Sequence, residues 1–204
     1  MASCEPYTTA IILSGGSATR FDGADKGLQQ YKAKALIEHV IERIEPQVNQ
    51  LIICANRNIK HYERLGFKVV IDELDDYQGP MSGIYSAIKS PTIDAHSKQV
   101  LISSCDVPAI PRDIKSRLET GFLKKHHSNV AIAHDGTRRQ NLHCLIKQQA
   151  WSSLIDFFEN GGRAMHHWFN ELSTTNVDFS NDAPSFVNIN TAEQLMQLNT
   201  DNSE

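Results

Sequence analysis

The sequence has little that would suit a membrane-embedded, secreted or nucleic-acid-coating protein. No apolar run approaches the roughly 18 residues that a membrane-spanning helix requires, and the N-terminus lacks the basic and apolar regions of a secretory signal. Acidic residues outnumber basic ones by 24 to 20, and the net charge is −4, so we expect no general attraction to nucleic acid. We therefore predict a cytoplasmic protein that binds neither a membrane nor nucleic acid, with anion binding confined to a pocket.

Cysteine and histidine are too sparsely arranged for a metal or redox motif. The four cysteines form no C-x-x-C pair and show no metal-ligand spacing, so we predict reduced thiols, as is usual in cytoplasmic proteins. They are Cys4, Cys54, Cys105 and Cys144. The histidine pairs 126–127 and 166–167 have no further His or Cys three or four positions away. We therefore favour solvated or capping roles for both pairs over a metal site.

The most informative segment that is present is LSGGSATRFDGADKG, residues 13–27, which follows the apolar run 10–13. Its glycines at positions 15, 16 and 23 let the backbone turn sharply and direct N–H groups at a ligand, and Arg20 and Lys26 add positive charge. Neither the P-loop pattern nor the alternating Rossmann glycine pattern is matched. The alternative is an ordinary loop between a strand and a helix, but the two cations favour a polyphosphate site.

Apolar runs alternate with helical patterns along the chain, which predicts an α/β fold with a mostly parallel sheet covered on both sides. The predicted strands lie at 10–13, 51–54, 69–71, 100–102, 130–132 and 145–146. Predicted helices cover the apolar stripe from Ile37 to Val48, the segment 82–90, and a segment beginning with Pro111 at its first position. The length of 204 residues fits one domain over residues 1–198, followed by a flexible tail over 199–204.

Polar residues follow four of these strands. Besides the glycine-rich segment, Asn56 follows the second strand, Asp72 the third and Asp106 the fourth. Because ligands bind beyond the carboxyl ends of strands in open α/β sheets, we expect one nucleotide site there. Asp106 suits Mg²⁺, which is usually held by one or two carboxylates and substrate phosphates. Asp72 suits either a guanine base or a ribose hydroxyl, and phosphoryl or nucleotidyl transfer is the leading reaction class.

The segment LSGGSATRFDGADKGL resembles the signature L-(A/S)-G-G-x-(S/A)-x-R-(M/F)-G-x-D-K of nucleotidyltransferases, specifically of the molybdenum cofactor guanylyltransferases. The resemblance extends over nearly the whole chain, in ICANR, the aspartate of VVIDE, YQGPMSGIYSAI, CDVPAIP, HDG, GGRAMHHWF and FVNINTAEQL. It implies a three-layer, Rossmann-like nucleotidyltransferase fold. It also implies a GTP-binding half over roughly residues 1–110 and an acceptor-binding half over roughly 111–198.

The resemblance implies that GMP passes from GTP to molybdenum-molybdopterin, with Mg²⁺ as cofactor and pyrophosphate as the second product. By this likeness Lys26, Asp106 and Arg20 are catalytic, and Asp106 binds the metal. Arg20, Asn188 and Asn190 face the acceptor. The implied GTP-binding residues are Leu13, Ser14, Gly15, Gly16, Lys26, Cys54, Asn56, Asp72 and Asp106. The implied protein partners are molybdenum-insertion and molybdoenzyme-maturation proteins.

Two departures from the family pattern bear on the pockets. Cys54 stands where the family commonly has an asparagine, so that nucleoside contact is lost or shifts to Asn56. Residues 140–143, QNLH, replace a turn similar to His-Pro-Thr, which affects the shape of the acceptor pocket. The alternatives are a cytidylyltransferase for the same cofactor, another small-molecule nucleotidyltransferase such as a sugar-phosphate enzyme, and a non-catalytic protein that binds and delivers the cofactor.

Overall fold

The apolar runs form the strands of one central sheet. A computed structural model describes residues 5–15, 24–72 and 79–200. The sheet strands are β1 (Thr8–Leu13), β4 (Gln50–Cys54), β5 (Lys68–Val70), β6 (Gln99–Ser104), β7 (Val130–His134), β8 (Arg139–Lys147) and β9 (Thr174–Asp178), and a separate hairpin contains β2 (Gln30–Tyr31) and β3 (Lys34–Ala35). The seven strands are ordered β5-β4-β1-β6-β8-β7-β9.

The sheet is mostly parallel, as predicted. Strand β1 pairs in parallel with β4 and β6, β4 with β5, and β7 with β9. Strand β8 runs antiparallel to both β6 and β7, so the predicted alternation of strand and helix is wrong at this point. The reason is a tight turn after β7, in which the Asp135 side chain accepts hydrogen bonds from the backbone N–H groups of Thr137 and Arg138.

Helices cover both faces of the sheet and give the expected three layers. They are α1 (Leu36–Ile44), α2 (Ile59–Glu63), α3 (Pro80–Lys89), α4 (Ile114–Lys124), α5 (Trp151–Glu159), α6 (Met165–Asn170) and α7 (Ala192–Thr200). Alternate residues of β1 enter separate apolar cores: Ala10 and Ile12 pack with α1 and α4, while Ile11 and Leu13 pack with α3, α5 and α6. All six residues of β1 are buried, as expected of a central parallel strand.

Several predicted boundaries differ from the structure. Helix α1 ends at Ile44 and a 3₁₀ turn follows over Glu45–Gln47, so the helix predicted to reach Val48 is too long, because Pro46 has no N–H group with which to continue the α-helical hydrogen bonds. Helix α3 begins at Pro80 rather than at residue 82, because proline is well suited to the first turn of a helix. Helix α4 begins at Ile114, so Pro111 precedes it rather than occupying its first position. Helix α7 extends through Thr200 and thus includes residues 199 and 200 of the predicted tail, whereas residues 201–204 lie outside the described part of the chain.

Some short or polar elements carry no apolar periodicity and were not predicted. Strand β9 has the sequence TTNVD, with only Val177 buried. The β2–β3 hairpin turns at Lys32 and Ala33, which adopt positive φ angles of 46° and 64° without the glycine or asparagine that usually indicates such a turn. Over the described residues, no helix combines the length and the apolarity needed to cross a bilayer.

Candidate active site

The carboxyl ends of the parallel strands bring the predicted polar residues to one edge of the sheet. Strands β5, β4, β1 and β6 are neighbours in that order, and Asp72, Asn56, Ser14 and Asp106 follow them within two residues. The expected convergence of signals from four strands is therefore present. Gly16 and Arg20 lie outside the described residues, so their predicted roles stay predictions.

The closest charged pair at this edge joins the end of the glycine-rich segment to the end of β6. The Nζ atom of Lys26 lies 2.5 Å from Oδ2 of Asp106, although the two residues are 80 positions apart. The side chains are 27% and 13% exposed, respectively. Such partial burial weakens the screening of the ion pair by solvent, and it leaves the ammonium accessible to an incoming anion.

The C-terminal asparagines join this ion pair. Lys26 Nζ donates a second hydrogen bond to Oδ1 of Asn190 over 2.8 Å, and Nδ2 of Asn188 donates to Oδ2 of Asp106 over 3.2 Å. The backbone N–H of Ile189 donates to the carbonyl oxygen of Asp106 over 2.9 Å. The segment predicted to face the acceptor therefore lies against the predicted metal-binding carboxylate.

The other carboxylate oxygen of Asp106 is held by its own strand. Ser104, the last residue of β6, donates from Oγ to Oδ1 of Asp106 over 2.5 Å. Hydrogen bonds to the ionised form of a carboxylate stabilise its charge. Lys26, Asn188 and Ser104 therefore hold the carboxylate of Asp106 in one orientation.

A cleft beside the glycine-rich segment has the position expected of a nucleoside site. Together with the open solvent at its mouth, it has a volume of about 270 Å³. Its lining consists of Leu13, Gly15, Cys54, Asn56, Asp72, Gly79, Pro80 and Gly83. Five of these residues, from β1, β4, β5 and the loops after them, are predicted GTP-binding residues. Helix α3 supplies the opposite wall with Pro80 and Gly83.

Asp72 is oriented in this cleft by the first turns of α3. Its two carboxylate oxygens accept hydrogen bonds from the hydroxyl groups of Ser82 and Ser86. The backbone N–H of Asp72 donates to Oδ1 of Asn56 over 3.1 Å. This bond uses one of the two lone pairs of the Asn56 oxygen, so a shifted nucleoside contact could use the second lone pair or the amide NH₂ group.

Cys54 lines the same cleft as a neutral thiol. Its Sγ atom donates to the carbonyl oxygen of Gly83 over 3.3 Å, and burial, followed by the charge of Asp72, raises the pKa of the thiol to about 12. Burial also raises the pKa of Cys105 to about 12. Cys54, Cys105 and Cys144 are all buried free thiols, in agreement with the prediction for these three.

The segment that departs from the family pattern contacts the end of β6, close to Asp106. Gln140 of β8 pairs with Ala133, and Cys144 pairs with Ile132, so residues 141–143 form a bulge. Bulges next to active sites reorient side chains, and here the ring nitrogens of His143 lie 3.4 Å from the hydroxyl oxygens of Ser103 and Ser104. Burial lowers the pKa of His143 to about 4, despite the opposing effect of Asp106, so the imidazole is neutral at pH 7.

Sequence reasoning missed Asp25 and Tyr62 as neighbours of the site, and it named His143 only as part of the segment 140–143. The Ser14 hydroxyl donates to the hydroxyl oxygen of buried Tyr62, which donates in turn to Asp25. Asp25 adjoins Lys26 in the glycine-rich segment and could have been singled out there. Tyr62 lies in a five-residue helix and has no local signal that connects it with Ser14.

The donor set at Asp106 fits a magnesium ion that is bound mainly by substrate. Among the described residues, no group of three or more His, Cys, Asp and Glu side chains could hold a metal ion. Mg²⁺ commonly uses one or two carboxylates, together with phosphate oxygens and water. Asp106 offers one oriented carboxylate, already in contact with a cation in the form of the Lys26 ammonium, and the amide oxygen of Asn190 lies nearby.

Comparison with known proteins gives a consistent result for sequence and fold. Residues 10–175 match the family model of the MobA-like NTP transferase domain. The molybdenum cofactor guanylyltransferase of Shewanella sediminis (strain HAW-EB3) is 38% identical over 189 residues, which cover 93% of this chain and 94% of the relative. The enzyme of the same name from Vibrio parahaemolyticus is 39% identical over 191 residues, with 94% of each chain covered.

Solved structures show the same fold at lower sequence identity. Molybdopterin-guanine dinucleotide biosynthesis protein A from Archaeoglobus fulgidus superposes with a TM-score of 0.72 at 21% identity and covers 94% of this chain and 97% of its own. A nucleotidyl transferase from Methanothermobacter thermautotroptrophicus superposes with a TM-score of 0.71 at 16% identity, over 96% and 97% of the two chains.

Proposed function

Because this chain belongs to the molybdenum cofactor guanylyltransferases, within the MobA-like NTP transferases, we propose that the Lys26–Asp106 pair is the centre of its transfer reaction. The family reaction moves GMP from GTP to molybdenum-molybdopterin. The observation that carries the proposal is the ion pair at the carboxyl edge of the sheet, which Asn188 and Asn190 join from the C-terminal segment. GTP-binding and acceptor-binding residues would meet at this pair.

The reaction requires positioning and charge neutralisation more than proton transfer. A terminal phosphate oxygen of molybdopterin forms a bond to the α-phosphorus of GTP, and the bond between the α-phosphorus and the bridging oxygen breaks to release pyrophosphate. The attacking oxygen is already an anion, so no general base is required. Lys26 would bind the phosphates, and phosphate oxygens would compete with Asp106 for its ammonium group. Arg20 would add further positive charge as the third catalytic residue.

GTP would bind across the cleft and the glycine-rich segment. The backbone of Leu13, Ser14, Gly15 and Gly16 would contact the nucleotide, and Asp72 would bind the nucleoside, either at the guanine N–H donors or at a ribose hydroxyl. The bonds from Ser82 and Ser86 support this role, because they hold the carboxylate of Asp72 in one orientation. Cys54 and Asn56 would complete the wall of the cleft.

Magnesium is the proposed cofactor, held by Asp106 together with the phosphates of GTP. When bound there, it would supply positive charge to the phosphate under attack. Asp106 presents a carboxylate whose orientation is set by Ser104 and Asn188. The chain itself would thereby orient the ligand, while the substrate and water complete the coordination.

The acceptor would bind on the side of Asn188 and Asn190, and Arg20 is the third residue proposed to bind it. Two hydrogen bonds support this assignment: Asn188 donates to Asp106, and Asn190 accepts from Lys26. An acceptor phosphate must reach the same phosphorus that this ion pair would stabilise. GTP would bind mainly to the half over roughly residues 1–110, and the acceptor mainly to the half over roughly residues 111–198. We further propose a cytoplasmic enzyme that works with molybdenum-insertion and molybdoenzyme-maturation proteins.

Base selectivity tests the guanylyl assignment against its nearest alternative. Purified protein is incubated with molybdenum-molybdopterin, magnesium and either GTP or CTP, and pyrophosphate and nucleotide-bearing pterin are measured. We expect transfer from GTP in clear preference to CTP. Equal or reversed turnover would favour a cytidylyltransferase, and binding of GTP without any pyrophosphate release would favour a non-catalytic delivery protein.

A further inference from the structure

The hydroxyl group of Tyr62 joins two parts of the candidate triphosphate site that are distant in the sequence. Tyr62 lies in α2 (Ile59–Glu63) and is fully buried. Its hydroxyl oxygen is 2.6 Å from Oγ of Ser14, the residue after β1, and 2.6 Å from Oδ1 of Asp25, the residue before Lys26. One phenol group thus contacts both the start and the end of the glycine-rich segment.

The direction of these hydrogen bonds follows from their chemistry. An ionised carboxylate only accepts, so the Tyr62 hydroxyl must donate its single proton to Asp25, and it accepts the proton of Ser14. Asp25 Oδ1 also accepts from the backbone N–H of Gly27 over 3.2 Å, and Oδ2 accepts from Nδ2 of Asn58 over 3.1 Å. Burial, with a smaller effect of Asp25, raises the pKa of Tyr62, so the phenol keeps its proton.

The network orients the backbone that carries Lys26. The Asp25 side chain caps the short 3₁₀ turn Lys26–Leu28 by accepting from Gly27 N. Gly27 is packed so closely that an added Cβ atom would lie 2.2 Å from Oγ of Ser14 and 2.7 Å from the hydroxyl oxygen of Tyr62. The turn is therefore packed tightly against Ser14 and Tyr62. The side chain of Lys26, the first residue of the turn, extends from it to Asp106.

We propose that Tyr62 is a positioning residue for triphosphate binding, which acts through Asp25 and holds Lys26 at a set position relative to the end of β1. The proposal rests on the phosphate-binding role of Lys26 proposed above. A phenylalanine would fill the same apolar volume but would lack the hydroxyl group, whose hydrogen bonds to described residues join Ser14 and Asp25. A lysine on a fixed backbone loses less conformational freedom when it binds a phosphate, and this strengthens binding.

Tyr62→Phe tests the proposal, with Tyr7→Phe as its matched control. Tyr7 precedes the opposite end of β1, and its hydroxyl likewise donates to an aspartate, Asp94, over 3.2 Å. Calorimetric titration in magnesium buffer measures the binding of GTP, of inorganic tripolyphosphate and of guanosine. For Tyr62→Phe we expect GTP and tripolyphosphate affinities to fall about tenfold, with guanosine affinity unchanged within about twofold. Tyr7→Phe should bind all three as the parent protein does.

This pattern separates positioning from a general loss of structure. A merely structural role would lower the melting temperature and weaken guanosine together with GTP. Melting temperatures of both variants are recorded alongside the titrations. Unchanged GTP binding in Tyr62→Phe, or an equal loss for guanosine, would overturn the proposal.

A double-mutant cycle with Lys26→Ala tests whether Tyr62 acts through the lysine. If it does, Tyr62→Phe should weaken GTP binding far less in the Lys26→Ala background than in the parent protein. Full additivity of the two losses would contradict a path through Lys26, while leaving the phosphate role of Lys26 in place. Normal GTP binding by Lys26→Ala alone would instead remove that role, and the positioning role of Tyr62 with it.

Discussion

The Nδ2 atom of Asn188 donates a hydrogen bond to Oδ2 of Asp106 over 3.2 Å, across 82 positions of sequence. The same oxygen accepts from Lys26. One carboxylate oxygen therefore accepts hydrogen bonds both from Lys26, which is proposed to bind GTP, and from Asn188, which is proposed to bind the acceptor. This arrangement makes Asp106 the position at which a single substitution should separate substrate binding from transfer.

Asp106→Asn is expected to lower the transfer rate by at least about 100-fold, because the substituted residue no longer supplies a carboxylate to magnesium or an anion to Lys26. Pyrophosphate release under saturating GTP and acceptor measures the effect. The fold should persist, since asparagine has nearly the same shape, and thermal unfolding checks this. Asp113→Asn is the control, because Asp113 is largely exposed and forms a long ion pair of 3.8 Å with Arg117. Near-normal turnover of Asp106→Asn would show that the assigned metal ligand is wrong.

Gly27→Ala should lower stability, whereas Gly15→Ala should leave it nearly unchanged. A Cβ atom at Gly27 would overlap Ser14 and Tyr62, whereas one at Gly15 would have no atom within 4 Å. We expect Gly27→Ala to lower the free energy of unfolding by about 1–3 kcal/mol and Gly15→Ala to change it by less than about 0.5 kcal/mol. Urea unfolding measures both.

The same two variants test the close approach of GTP to the backbone. Gly15 lines the cleft, so the added methyl group of Gly15→Ala should weaken GTP binding while stability is retained. If Gly15→Ala binds GTP as tightly as the parent protein, the nucleotide does not pass close to this residue.

His143 should make stability depend on pH in the acid range. In the unfolded chain an imidazole gains a proton below pH about 6.5, whereas in the folded protein burial lowers the pKa of His143 to about 4. Between these values the unfolded state binds more protons, so the free energy of unfolding falls as the pH drops from about 6.5 to 4 and is unaffected by this group above 6.5. The full loss from this group is about 3 kcal/mol.

His143→Gln isolates this contribution, because glutamine does not titrate. Urea unfolding at several pH values between 4 and 8, without nucleotide or metal, should give a flatter profile for the variant than for the parent protein. The difference between the two profiles should disappear above pH 6.5 apart from a constant offset. Parallel profiles across the whole range would mean that His143 is not buried in its neutral form.

The sequence alone was sufficient to predict the parts of the site that depend on local pattern. The apolar run 10–13 indicates a buried strand, and a parallel sheet brings its carboxyl end beside those of its neighbours, so Asp72 and Asp106 could be assigned to one edge before any contact was known. Strand β9 was not predicted, because its sequence TTNVD has one buried residue and no clear alternation of apolar and polar residues. The antiparallel course of β8 was missed because its hairpin depends on a short turn and not on periodicity.

What the sequence by itself determined was therefore the α/β class, the mostly parallel sheet and the edge at which polar residues collect, since periodicity and strand ends are properties of neighbouring residues. Only the tertiary structure decided that Lys26 contacts Asp106 and Asn190 and that Tyr62 joins Ser14 to Asp25. It also decided that a bulge in β8 brings His143 to the end of β6. These contacts join residues 37 to 164 positions apart. Their geometry comes from the packing of helices and loops on the sheet, and no local pattern encodes it.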